Sequence, residues 1–122
     1  SFIPLLLIVT PQIYGGPLLW ILAFPQHAAL KFDSNDHRET TRTVILGPIL
    51  GTFFYANMQY HIEHHASPQV PFYNLPKFHE KIKNQMPKPN VGLFDAYKEI
   101  IPAVIKKTEN PDYYIPVKLP VN

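Results

Sequence analysis

The 122-residue chain contains no cysteine, which excludes a disulfide-linked scaffold and any metal site built on thiolate ligands. Charge is sparse and nearly balanced, with 11 Lys and Arg against 9 Asp and Glu. No basic run is interleaved with aromatic residues, so a nucleic-acid-binding surface is not predicted. The sequence also lacks a Gly-rich phosphate-binding loop and any Ser, His and Asp order typical of a hydrolase.

Charged residues are missing altogether from two long blocks, residues 1–24 and 43–60. As a helix, the first block is long enough to cross the roughly 30 Å hydrocarbon core of a bilayer, and the second is about the length of a helix that crosses the membrane or lies along it. Prolines and the pair Gly15-Gly16 interrupt the first block. They predict either one kinked span or two half-spanning helices, and a buried helix pair in a soluble core has the same pattern.

Half of the six histidines lie in one short motif, YHIEHH, at residues 60–65. In a helix, residues three and four apart share a face, so the imidazoles of His61, His64 and His65 are expected to converge, whereas Glu63 points elsewhere. Neutral imidazole binds iron, zinc, copper and nickel, and a cluster without thiolates beside an apolar segment favours oxygen chemistry at iron. The alternatives are a solvated helix end that binds nothing and a structural zinc site, which would need a further ligand.

Three residues near the motif are assigned by their surroundings. His37 lies between charged neighbours in a loop and is expected to be solvated. His79 lies in an amphipathic segment after the motif and is expected to support the site or to pack, without binding metal directly. Asn57 lies four residues before His61. On a continuous helix it would share the face of that histidine, where it would either hold an imidazole N–H or remain a surface amide.

The sequence around the motif resembles a known family. Residues 57–65 (NMQYHIEHH) and 68–79 (PQVPFYNLPKFH) are similar to the last histidine box, and its flank, of membrane fatty acid desaturases. The family consists of integral membrane di-iron oxygenases with three histidine boxes, of which only the last is present here. Gln26-His27 and the run TTRT at residues 40–43 match the polar stretch before that box, although many relatives have Glu where this chain has Gln26.

The resemblance implies that His61, His64 and His65 are metal ligands and that His27 is an additional ligand outside the boxes. A polar residue capping the membrane edge is the alternative for His27. The resemblance further implies a di-iron centre, O2 as co-substrate, an acyl-chain or membrane-lipid substrate, and an electron donor such as a b-type cytochrome or ferredoxin. The implied reaction is desaturation of an acyl chain. Hydroxylation at a similar centre and a non-catalytic membrane metal-binding fragment are the alternatives.

We therefore expect an all-α chain of integral membrane helices with interfacial or cytosolic amphipathic helices. Residues 1–85 are predicted to form the C-terminal part of a desaturase-like membrane domain, and residues 86–122 a cytosolic helix with an extended tail. Amphipathic helices are expected over residues 75–86 and 93–107. The implied protein is multi-pass with its active site on the cytosolic face, since a Lys-rich stretch follows the motif. The chain, which opens at Ser1 and lacks two boxes, is expected to be an inactive fragment.

Overall fold

The structure is a computed structural model and describes residues 1–120. The described chain is mainly helical, which confirms the all-α prediction apart from one short pair of strands. The α-helices are α1 (Thr10–His27), α2 (His37–Thr40), α3 (His61–Ala66), α4 (Leu75–Ile82) and α5 (Gly92–Glu109). The strands are β1 (Val44–Ile45) and β2 (Asn90–Val91), and shorter π or 3-10 helices cover Leu5–Val9, Pro48–Phe54, Phe72–Asn74 and Lys83–Gln85.

The first uncharged block forms one continuous helix. The π-helical turn Leu5–Val9 runs directly into α1, giving the 23-residue helix Leu5–His27. At 1.5 Å per residue this helix is about 35 Å long, which is enough to cross a bilayer. Pro17 and Pro25 lie inside α1 without dividing it. Within the described residues this is the one helix long and apolar enough to span a membrane, and most of its apolar side chains are exposed, unlike those of a helix in a soluble core.

The second uncharged block does not form the expected long helix. After β1, Gly47 adopts a left-handed conformation (φ 77°), and the π-helix Pro48–Phe54 is only 7 residues long. Gly51 packs so closely against the side chain of Gln59 that an added Cβ would collide with it. The prediction of a crossing or surface helix over residues 43–60 is therefore wrong, because glycine and proline divide this block and its end folds back on its middle.

A small core joins the two predicted units. β1 pairs with β2 in parallel, and α5 buries Ala96 and Ile100 against Ala28 and Val44. Burying a side chain the size of Ile100 stabilises the fold by about 2 kcal/mol. Both β2 and α5 belong to the predicted second unit, residues 86–122, so that unit packs directly on the first. Where the two units divide remains a prediction.

The amphipathic segment after the motif forms α4 and a short 3-10 turn, as expected. Leu75, at its start, is fully buried. After a turn at residues 111–112 the described part of the tail forms no helix or strand, and the backbone N–H of Ile115 donates to the carbonyl oxygen of Ala29 at 2.8 Å. Its extended conformation remains a prediction. The last two residues of the predicted tail, 121–122, lie outside the described range.

Candidate metal centre

Two helices bring three imidazoles together. His27 is the last residue of α1, and His61 is the first residue of α3, with His65 one turn further along the same face. The Nε2 atom of His61 lies 2.8 Å from Nε2 of His27 and 3.2 Å from Nε2 of His65. The candidate ligand atoms of the three residues all lie within 4.8 Å of one another. Three ring nitrogens therefore face one small volume.

The spacing and protonation of these imidazoles suit a shared metal ion. At a metal–nitrogen distance of about 2.1 Å, two ligands at right angles lie about 3 Å apart, close to the observed separations. Burial and the neighbouring rings of His27, His65 and His64 lower the pKa of His61 to about 3. Burial, and then the other histidines around it, also lower the pKa of His65. Both rings are thus neutral at pH 7, and the neutral ring is the form that binds metal.

His64 lies beside this cluster and not within it. Its ring centroid is 5.9 Å from the centroids of both His61 and His65. Its Nδ1 atom is buried and has no hydrogen-bond partner among the described residues. A buried ring nitrogen without a partner is uncommon, and a bound metal ion is one way to satisfy it. The structure thus brings His27, His61 and His65 to one point and leaves His64 outside that group.

The opposite side of α3 is fixed by a buried carboxylate. Glu63 is fully buried, accepts a hydrogen bond from Oγ1 of Thr43 at 2.7 Å, and pairs with Nδ1 of His79 on α4. Glu63 therefore points away from the imidazole cluster, and His79 supports α3 without facing the cluster. These contacts tie α3 to the chain before β1 and to α4. Sequence reasoning dismissed Glu63 as a ligand but missed this role, although an acidic residue inside a short packed helix needs a partner.

The end of α1 is held by two buried polar side chains. The Nε2 atom of Gln26 donates to the carbonyl oxygen of Met58 at 2.7 Å, and its Oε1 atom accepts from the hydroxyl of Tyr55 at 2.9 Å. The guanidinium of Arg42 donates to the carbonyl oxygen of Pro25 at 2.7 Å, where a cation also complements the helix dipole. Gln26 thereby fixes α1 to the turn before α3. In the sequence it stood out only as a departure from the acidic residue of relatives.

Asn57 makes contacts that differ from the predicted one. Asn57 and Ala56 both adopt left-handed conformations, with φ of 58° and 48°, so the chain turns where a continuous helix was expected. The Oδ1 atom of Asn57 accepts from Oγ1 of Thr52 at 2.9 Å, and its Nδ2 atom donates to the carbonyl oxygen of Phe72 at 3.0 Å. Its amide is therefore occupied in bracing the turn before α3. The predicted hydrogen bond from Asn57 to an imidazole is not formed among the described residues.

His37 lies closer to the cluster than its charged neighbours in the sequence suggested. It is the first residue of α2, a one-turn helix that is capped by the side chain of Asp36. Its ring is exposed, as predicted, but the ring centroid is 5.4 Å from that of His65. This proximity comes from the packing of α2 against α3, which residue spacing alone does not reveal.

The family model described as fatty acid desaturase matches residues 1–97. The chain belongs to the fatty acid desaturase family. The match includes α1, the motif helix α3 and the supporting helix α4. Neither the search of curated proteins nor the search of solved structures found a match for the chain.

Membership of the desaturase family allows the histidine cluster to be compared with the metal centre of that family. Proteins of this family are membrane proteins and generally contain two iron ions, and this chain has a membrane-length helix that ends at His27. The histidine cluster therefore lies at the end of this helix, Leu5–His27, which is the candidate membrane span. A donor set made only of imidazole nitrogens is compatible with iron, among other first-row metals. The residues present thus fit part of the metal centre that is general in desaturases.

Proposed function

We propose that this chain is the part of an oxygen-dependent acyl-chain desaturase that carries its last histidine box, and that His27, His61 and His65 bind iron. The observation that supports the proposal is the convergence of three Nε2 atoms at the end of a membrane-length helix in a desaturase-family chain. His64, whose buried Nδ1 has no hydrogen-bond partner within residues 1–120, is proposed as a ligand of a second iron. Further ligands for two irons would come from the other histidine boxes of the family.

Iron bound at this site would supply, with O2 and electrons from a donor, the oxidising power needed to remove hydrogen from an unactivated C–H bond. The residues of this chain hold the ligand nitrogens in position. His27 fixes one ligand nitrogen to the membrane helix, whereas His61 and His65 present two more from α3. The contacts of Gln26 and Glu63 hold these two helices in place from opposite sides. Ligand orientation set by surrounding hydrogen bonds is a major determinant of metal affinity and reactivity.

The location of the cluster suits a substrate dissolved in the membrane. Because His27 ends the candidate span, an acyl chain in the bilayer would reach the cluster along the exposed face of α1. The exposed side of His27 faces away from the buried core, and a donor such as a b-type cytochrome or ferredoxin would approach from the water. We place the cluster and the lysines that follow it on the cytosolic side of an integral membrane protein with several spans.

The test is product analysis with the full-length protein. Membranes from a host that expresses it are incubated with a saturated acyl substrate, an electron donor system and either air or argon, and the products are separated by mass. The proposal predicts a product lighter by two hydrogen atoms that forms only with O2 and is lost in the His61→Ala variant. A product heavier by one oxygen atom would instead identify a hydroxylase. No product from any acyl substrate, with iron bound, would contradict an enzymatic role.

A further inference from the structure

Helix α5 has three distinct faces. At about 100° per residue, Ala96, Ile100 and Ala103 fall within one sector about 60° wide, and all three are buried. A second sector carries charged side chains, among them Asp95 and Lys106, which point about 20° apart. A soluble helix that buries one face normally exposes only polar residues on the others. The third face of α5 departs from that pattern.

The third face is apolar and has no partner among the described residues. Phe94, Ile101 and Ile105 lie seven and four residues apart and fall within a sector of about 40°. Their side chains remain 84%, 55% and 59% exposed. A contiguous exposed apolar surface of this kind is typical of a protein or membrane contact. We therefore expect an apolar environment to cover this face.

The contacts of α5 with α1 indicate what that environment is. The hydroxyl of Tyr97 donates to the carbonyl oxygen of Ile21 at 3.0 Å, and its ring stacks with that of Phe24, with centroids 6.4 Å apart. Phe24 in turn stacks with Trp20 at 4.5 Å. Ile21 lies six residues, or about 9 Å, inside the candidate span that ends at His27. Tyrosine and tryptophan at this depth are typical of the membrane–water interface.

We propose that α5 is an interfacial helix that lies along the membrane surface, with Phe94, Ile101 and Ile105 in the boundary between headgroups and acyl chains. The partner of its third face is then the lipid bilayer, and this face continues the lipid-facing surface of α1. Asp95 and Lys106, on the charged face, point toward water. This assignment places α5 on the membrane and not free in the cytosol. It depends on the insertion of α1 and not on desaturation.

A depth measurement with introduced cysteines tests the proposal. The full-length protein, with any cysteine outside this chain replaced, receives one cysteine at Phe94, Ile101 or Ile105, and Asp95→Cys and Lys106→Cys are the matched controls. Each variant carries a nitroxide label in vesicles of phosphatidylcholine and phosphatidylglycerol. Collision rates with O2, which concentrates in lipid, are compared with those of a water-soluble nickel chelate. A label at Ile13→Cys, in the middle of the membrane-length helix and about 21 Å from its His27 end, provides the depth reference.

The proposal predicts a several-fold higher ratio of O2 to nickel collisions at the three apolar positions than at Asp95 and Lys106. The adjacent pair Ile105→Cys and Lys106→Cys is the sharpest comparison, since the two are neighbours along the helix but point about 100° apart. Equal, water-like ratios at all five positions would overturn the proposal. So would labels at the apolar positions that neither reagent reaches, because that result assigns the face to a protein contact. A water-like ratio at Ile13→Cys, in the middle of the helix, would remove the span on which the proposal rests.

Discussion

The Nε2 atoms of His27 and His61 lie 2.8 Å apart, although the residues are separated by 34 positions in the sequence. This contact joins the end of a membrane-length helix to the start of the motif helix. Two imidazoles from different elements do not come this close by local spacing, so the fold itself brings them together. A metal ion bound between them would therefore link α1 and α3 as well as serve chemistry.

Replacing the cluster histidines should abolish product formation in the full-length protein. His27→Ala, His61→Ala and His65→Ala each remove one of the three converging nitrogens, and His64→Ala removes the buried Nδ1 beside them. Removal of one ligand changes the geometry and the potential of a redox metal together, so the loss should be nearly complete. Product yield per milligram of membrane protein is the measurement.

The control for that series is His37→Ala, because this ring is exposed and lies outside the group of converging ligand atoms. It should keep near-normal turnover at wild-type expression. His27→Ala decides between the two roles considered for His27. Near-normal turnover in that variant would reduce His27 to a residue at the membrane edge.

Glu63→Ala should destabilise the protein and loosen its metal site. The substitution leaves the hydroxyl of Thr43 and the ring of His79 without their buried partner, at a cost of about 1–3 kcal/mol. The thermal unfolding midpoint in detergent and the iron retained after desalting measure the two effects. Glu80→Ala, which removes an exposed ion pair with Lys83, should leave the midpoint nearly unchanged. If the two variants had equal midpoints, the buried carboxylate would have no structural role.

Gly51→Ala should also destabilise the fold, because the new methyl group would displace the Gln59 side chain, which is buried and accepts a hydrogen bond from the backbone N–H of Leu46 at 2.7 Å. Overpacking of this kind costs about 1–3 kcal/mol. Gly15→Ala is the matched control, since an added Cβ there meets nothing within 4 Å and alanine favours a helix. Unfolding midpoints compared at equal detergent concentration should fall for the first variant only. An unchanged midpoint for Gly51→Ala would show that the Gln59 side chain has room to move.

The topology predicts that cysteines introduced at Ser34 and Ser67 react from the same, cytosolic, side of sealed vesicles. Both positions follow the candidate span, which ends at His27, and both lie near the contact between α2 and α3. Ser1→Cys, at the other end of the 23-residue helix, should react only from the opposite side. Membrane-impermeant maleimide provides the readout. Reaction of the Ser34 and Ser67 variants from opposite faces would rule out this arrangement.

Sequence reasoning predicted the elements that depend on local patterns of residue type and spacing. The uncharged block before His27, the motif helix and the amphipathic helices α4 and α5 were all predicted, because each is marked by residue type and spacing. The prediction of a helix over residues 43–60 was wrong because Gly51 approaches Gln59 closely. This is a tertiary contact, which residue spacing does not reveal. The role of Asn57 failed for a related reason, since a continuous helix was assumed where the chain turns.

The supporting contacts of the site were the least predictable part. Gln26, Thr43 and Glu63 are common polar residues, and their roles depend on partners 16 to 32 positions away. A sequence shows that a buried polar group needs a partner, but it does not show which one. His27 was identified through family resemblance. Its contact with His61 required the fold.

Iron bound per polypeptide tests the central claim most directly. The full-length protein is purified in detergent, desalted, and measured by mass spectrometry for iron and by amino-acid analysis for protein. The account predicts that the wild type and His37→Ala retain iron, whereas His61→Ala, which removes the nitrogen nearest to both other ligands, loses most of it while its helix content is unchanged. Full iron retention by folded His61→Ala would contradict the assignment of this cluster as the metal centre.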